Sequence, residues 1–150
     1  MDFLILLTVF SLGIAFLFFC YKILIPFFHN INNPLNTSTR FLLLLTMIGF
    51  GFLFYEFSLR GVQVLQYYFE KSLFISGLVI YSLLLTLAFC SAMAIFRLTN
   101  GLINIISKEN IKAELIKNNY LIAGQLGLFF LILLLLLKTP LLNLALKMIG

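Results

Sequence analysis

Charge is the scarcest property of this chain, which holds ten Lys or Arg and five Asp or Glu among 150 residues. With 63% apolar residues and a mean hydropathy of +1.14, it lacks the polar shell that a soluble domain of this size wraps around its core. Water is excluded as the main solvent, and lipid takes the place of the shell. Only two cysteines are present. Cys20 and Cys90 both fall inside apolar runs, which excludes a disulfide framework and makes them small packing residues. The single histidine, His29, has no second ligand at metal spacing, so neither a metal nor any other cofactor is expected. HExxH, GxSxG and a glycine-rich phosphate loop are all missing. No two carboxylates share a span as acid and base, and catalysis is not expected.

What is there is apolar and long. Four nearly uncharged runs could each cross a hydrocarbon layer of roughly 30 Å, which takes about twenty helical residues. They cover about 3–25, 41–59, 73–96 and 120–137. Each has to be a helix, because a lone helix satisfies its own backbone in lipid, and runs such as Leu131 to Leu137 lack the alternation of a membrane barrel strand. The chain is therefore expected to be an all-α, four-helix polytopic membrane protein forming one domain. Pro26 and the Asn-rich stretch 30–36 should end the first span, and Lys138, Thr139 and Pro140 the fourth. Met1-Asp2 gives no basic n-region and no small-x-small cleavage site follows, so the first helix is expected to be retained.

Lys22, Arg40, Arg97, Lys108, Lys112 and Lys117 flank the first and third connections, against Arg60, Lys71, Lys138 and Lys147 on the other side. That excess puts the first set in the cytoplasm and both termini outside. The third connection carries Leu102, Ile105, Ile106, Ile111, Leu115 and Ile116 at near-helical spacing. It either lies on the membrane surface, with Lys108, Lys112 and Lys117 on anionic headgroups, or is a pair of helical extensions meeting at a turn near Asn100-Gly101 or Asn118-Asn119. Glu109 with Lys112, or Glu114 with Lys117, could pair within it. The stretch Gly61 to Lys71 reads as an interfacial connection on the outer side. Shifting the chain on itself by about 75 positions lays Lys22 on Arg97 and Gly49 on Gly124, a faint parallel duplication of two helix pairs.

The run Glu114-Leu115-Ile116-Lys117-Asn118-Asn119, followed by Ala123-Gly124 and Gly127, resembles the entry to an even-numbered helix in the YjfL-like family of small bacterial inner-membrane proteins. The resemblance covers mainly the second half and departs from the family at Tyr120-Leu121-Ile122, where an alanine run would stand. It implies tandem helix pairs in a bacterial inner membrane and no known activity. The low charge and Asn/Lys/Ile-rich connections also fit an AT-rich bacterial genome.

Glu56 is the one acid well inside a span and the default functional candidate. It stands one turn before Arg60, and an interfacial Glu56 to Arg60 pair accounts for it. Lys22 and Arg97 read as headgroup anchors on long stems. Gln125, between Gly124 and Gly127, reads as packing glue able to hydrogen-bond across to a neighbouring helix. Gly49, Gly51, Gly124, Gly127 and the small-residue face of Ala88, Ser91 and Ala92 should let helices approach closely inside a bundle or between copies. Tyr81 is the most central hydroxyl and needs a partner. A net charge of +5, scattered at helix ends, belongs to headgroups and not to nucleic acid.

Two functions follow. The preferred one is a non-enzymatic membrane subunit that associates through its helices with copies of itself or with other membrane proteins. The other is an oligomeric channel or transporter, for which Glu56, Gln125, Tyr81, Thr46, Thr86 and Ser91 form a thin polar stripe.

Overall fold

The computed structural model describes residues 2–31, 34–107 and 110–149. Its elements are α1 (Asp2–His29), α2 (Thr37–Glu70), α3 (Phe74–Ser107), the short α4 (Ile111–Ile116) and α5 (Tyr120–Ile149). The fold is all-α, and four of the helices are long and apolar enough to cross a membrane. Successive long helices run antiparallel. One end of the bundle therefore carries the α2–α3 turn, and the other carries α4.

The helices outlast the apolar runs. Each of α2 and α3 has 34 residues, about 51 Å at 1.5 Å per residue, well beyond a roughly 30 Å layer. The stretch Gly61 to Lys71, expected as an interfacial connection, is mostly the continuation of α2 to Glu70. Nothing after Gly61 breaks the helix, and Leu65 is fully buried, so core packing extends to the hairpin. The turn itself is residues 71–73, with Ser72 at φ 60 in the left-handed region and Leu73 N–H donating to Tyr68 O at 2.8 Å. Pro26 lies inside α1 and Pro140 inside α5. Neither ends its helix, because Phe28 beyond the first and Leu142 and Ala145 beyond the second are buried and hold the chain in register.

α2 is the central helix and packs on all three other long ones, while α1 leans on it from one side. The core is strung on phenylalanines. Phe19 lies 5.5 Å from Phe89, Phe89 5.5 Å from Phe50, Phe50 6.5 Å from Phe130, Phe130 5.5 Å from Phe96 and Phe96 6.0 Å from Phe28. That chain of rings touches all four long helices, and each favourable pair adds about 0.5–1.5 kcal/mol beyond its burial. Ala88 and Ala92 are buried as expected, while Ser91 is half-buried. Cys20 is buried but Cys90 is exposed, so only the first packs inside the chain.

The glycines divide sharply. A Cβ at Gly49 would collide with the Phe130 ring, one at Gly127 with Leu45 and one at Gly61 with the Tyr81 ring; at Gly13 it would stand 2.7 Å from Phe54. At Gly51 it would meet nothing within 4 Å, and at Gly124 only Phe41 at 3.8 Å. Within one copy, Gly49, Gly127, Gly61 and Gly13 stand at close contacts, whereas Gly51 and Gly124 make no close approach inside this chain. Against the 75-residue shift read from the sequence, the starts of α1 and α3 lie 72 residues apart and those of α2 and α5 83, while the corresponding ends lie 78 and 79 apart.

Candidate functional site

Polar side chains gather at two levels. The first is the α4 end, where Asn36 is the organising residue. Its Oδ1 accepts from Thr39 N–H at 2.9 Å, from Thr39 Oγ1 at 2.7 Å and from Ser38 Oγ at 3.0 Å, which caps α2. Its Nδ2 donates to Leu115 O at 2.6 Å, satisfying an end carbonyl of α4. Asn118, at φ 62, returns the tie by accepting from Ser38 N–H at 2.8 Å. Asn119 caps α5 by accepting from Leu121 N–H at 3.0 Å, and Asn104 accepts from Ile111 N–H at 3.2 Å. Ile111 and Leu115 are buried, so α4 is a docked cap joined to α2, α3 and α5. In the third connection α3 runs on through Asn100-Gly101 to Ser107, the separate short α4 follows, and a turn at 117–118 leads into α5.

Asn36→Ala removes a cap and takes the acceptor from the backbone N–H and hydroxyl of Thr39, with an expected loss of about 1–2 kcal/mol. Hydrogen exchange should show protection falling first in α4 and the start of α2. Unchanged protection there would contradict the role given to Asn36.

Glu114 pairs with Lys117 at 2.7 Å and accepts from Asn119 Nδ2 at 3.0 Å. The Lys117 hydrogen bond first, then that of Asn119, holds its carboxyl below the ordinary carboxylate range. A lowered folded value means that its contribution is present above the unfolded Glu range and is lost as pH falls through the folded value. Acidification should therefore loosen residues 117–122, read as faster amide exchange, and Glu114→Gln should remove that pH dependence. An identical pH profile in the variant would contradict it.

The second level is an ion pair between α2 and α5. Lys138 Nζ donates to Glu56 Oε1, with the two side chains 30% and 28% exposed. Glu56 does not pair with Arg60, which donates instead to Gln63 at 3.1 Å on the exposed surface. The four-residue spacing was correct for one helix, but a facing helix brings a closer cation. Glu56 lies 19 residues past the start of α2 and Lys138 18 past the start of α5, about 27–29 Å along the axis. Measured from the Asn36 knot, the pair stands at the far margin of one hydrocarbon thickness.

The other expected residues scatter. Tyr81 is fully buried and finds its partner in Ser58, with 2.9 Å between the hydroxyls. Gln125 is exposed on the outer wall beside Ile103, Ile106, Leu128 and Ile132. It makes no hydrogen bond within the chain among the described residues, so it does not join neighbouring helices of one copy. Lys22 is exposed with its ammonium 5.4 Å from the Phe18 ring centre, and α1 runs on for seven residues beyond it. Arg97 is exposed too, ten residues before α3 ends. Lys112 and Lys117 are exposed on α4 and its turn; Lys108, like Glu109, lies outside the described residues. Thr46 donates to Leu42 O at 2.8 Å and Thr86 to Ser82 O at 2.9 Å. Both hydroxyls are thus spent on their own helices. His29 lies in the last turn of α1, and no group of three metal-ligating side chains occurs among the described residues.

Sequence reasoning missed Asn36 and Lys138 as site residues. Asn36 carried a signal, an Asn directly before Thr-Ser-Thr at the start of an apolar run. Lys138 did not, since its role exists only once α5 faces α2. Comparison with protein-family models, with curated proteins and with solved structures gives no match for this chain.

Proposed function

We propose that this protein is a non-enzymatic integral membrane subunit that works by association, through its helix faces, with copies of itself or with other membrane proteins. The observation that carries the reading is Gln125. Its amide is exposed on an otherwise apolar wall with no hydrogen-bond partner among the described residues, and an unpaired amide facing an apolar surround costs about 1–3 kcal/mol until another helix supplies its hydrogen bonds. The outer half of α1 adds a second candidate face, since Phe3, Phe10 and Phe18 are 76%, 67% and 61% exposed. A pore through one copy is disfavoured. The phenylalanine chain fills the space between the helices, and the buried hydroxyls of Ser38, Thr39, Thr46, Ser58 and Thr99 are all hydrogen-bonded.

We place the chain in a bacterial inner membrane with both termini outside, on the balance of Lys and Arg. A kinship with the YjfL-like family is part of the same proposal and rests on residues 114–127. Extraction from the native membrane in mild detergent should give a complex heavier than the 17.1 kDa chain, and Gln125→Leu should shift it toward the single chain. A lone chain in detergent, unaffected by that substitution, would overturn the reading.

A further inference from the structure

Helix packing leaves a cavity of about 270 Å³ beside α4, between the end of α1, the last part of α3 and the early turns of α2 and α5. Its floor is apolar: Phe27, Leu42, Phe96 and Leu126. Its rim is not, because Asn30, Asn100 and Lys112 stand there. Among the described residues these three side chains have no hydrogen-bond or ion-pair partner. Buried apolar surface beside uncommitted donors is the usual composition of a site for a molecule with two unlike ends.

Charge says which polar end fits. Arg40, Arg97, Lys112 and Lys117 are all exposed toward this end of the bundle, while Glu114 is committed to Lys117 and Asn119. Three ammonium hydrogens and two amide groups suit an acidic head rich in oxygen acceptors. Size says how much of the tail enters. A water occupies roughly 30 Å³ of liquid, so the cavity has room for about nine such volumes, part of one alkyl chain.

We propose that this cavity binds one anionic amphiphile, its acidic head on Lys112, Asn30 and Asn100 and its alkyl chain on Phe27, Leu42, Phe96 and Leu126. The head could come from a phosphodiester lipid of the bilayer or from the carboxylate of a free fatty acid. The proposal rests on the chain lying in a bilayer and is independent of any protein partner.

The chain contains no tryptophan, so Phe27→Trp sets a single indole on the floor, where brominated alkyl chains quench it by contact. In phosphatidylcholine vesicles, brominated phosphatidylglycerol or brominated fatty acid should quench at a mole fraction about fivefold lower than brominated phosphatidylcholine, the preference one lysine gives an acidic lipid. Whichever of the two acts at the lower fraction identifies the source. Lys112→Gln should abolish the preference. Equal quenching by all three probes, or a preference that survives Lys112→Gln, would overturn the proposal. Leu136→Trp, at a position 68% exposed, separates the premise from the proposal, since any brominated lipid must quench it if the chain is in the bilayer. Should Phe27→Trp not fold, native mass spectrometry of the unaltered chain should show one acidic lipid retained and lost in Lys112→Gln. None retained would overturn it equally.

Discussion

Gly61→Val is expected to cost about 3–5 kcal/mol, combining the overpacking of a filled core with the loss of a buried hydroxyl pair. The side of Gly61 that faces α3 is occupied by the Tyr81 ring. That ring cannot withdraw freely, because its hydroxyl is held by Ser58 at 2.9 Å and the residue is fully buried. Any side chain at 61 therefore has to part α2 from α3 or expel the tyrosine and leave the Ser58 hydroxyl unpaired. Gly51→Ala is the matched control. Nothing lies within 4 Å of its added carbon, and alanine is the better helix former, so stability should hold or rise by up to about 1 kcal/mol. Thermal unfolding in detergent, read by circular dichroism, checks both. A Gly61→Val protein as stable as the unaltered chain would refute the packing described here, and Gly61→Val with Tyr81→Leu should recover part of the loss.

The second large effect belongs to the α2–α5 ion pair. Glu56→Leu leaves the half-buried Lys138 ammonium without its counter-charge, and Lys138→Leu does the converse. Because each side chain keeps about a third of its surface exposed, the loss falls short of that for a fully buried pair; we expect about 1–3 kcal/mol for either single change. The double variant should recover most of it, since two apolar groups leave no charge stranded. A double-mutant cycle on unfolding free energies measures the coupling directly. Additive single effects would mean that the pair contributes nothing. If Glu56 were instead coupled to Arg60, Arg60→Leu would show the coupling and Lys138→Leu would not.

The number and type of the long helices were readable from composition and from the spacing of charges, because lipid permits few alternatives to a helix. Their ends were not. Arg60, Lys71 and Pro140 read as boundaries when hydropathy alone is followed, yet the helices continue past Arg60 and Pro140, where Leu65 and Leu142 are buried against neighbours. Tertiary packing decides such ends, and it leaves no local trace. Glu56 stood out in the sequence because an acid in an apolar run is costly, but its partner lies 82 residues away. Gln125 was equally visible as a residue, while the face it presents depends on the rotation of α5. The α4 cap was half legible: Ile111 and Leu115 at helical spacing pointed to an apolar face, and Asn110, which accepts from Ala113 N–H at 3.4 Å, is the kind of residue that begins a helix.

The central claim is that four long helices cross a bilayer, with the α2–α3 turn on one face and α4 on the other. Single cysteines test it in a Cys20→Ala, Cys90→Ala background, using Ser72→Cys in the turn and Asn118→Cys beside α4. A membrane-impermeant maleimide added to intact cells should label Ser72→Cys at once and Asn118→Cys only after permeabilisation. Labelling of both from the same side would contradict the four-crossing arrangement.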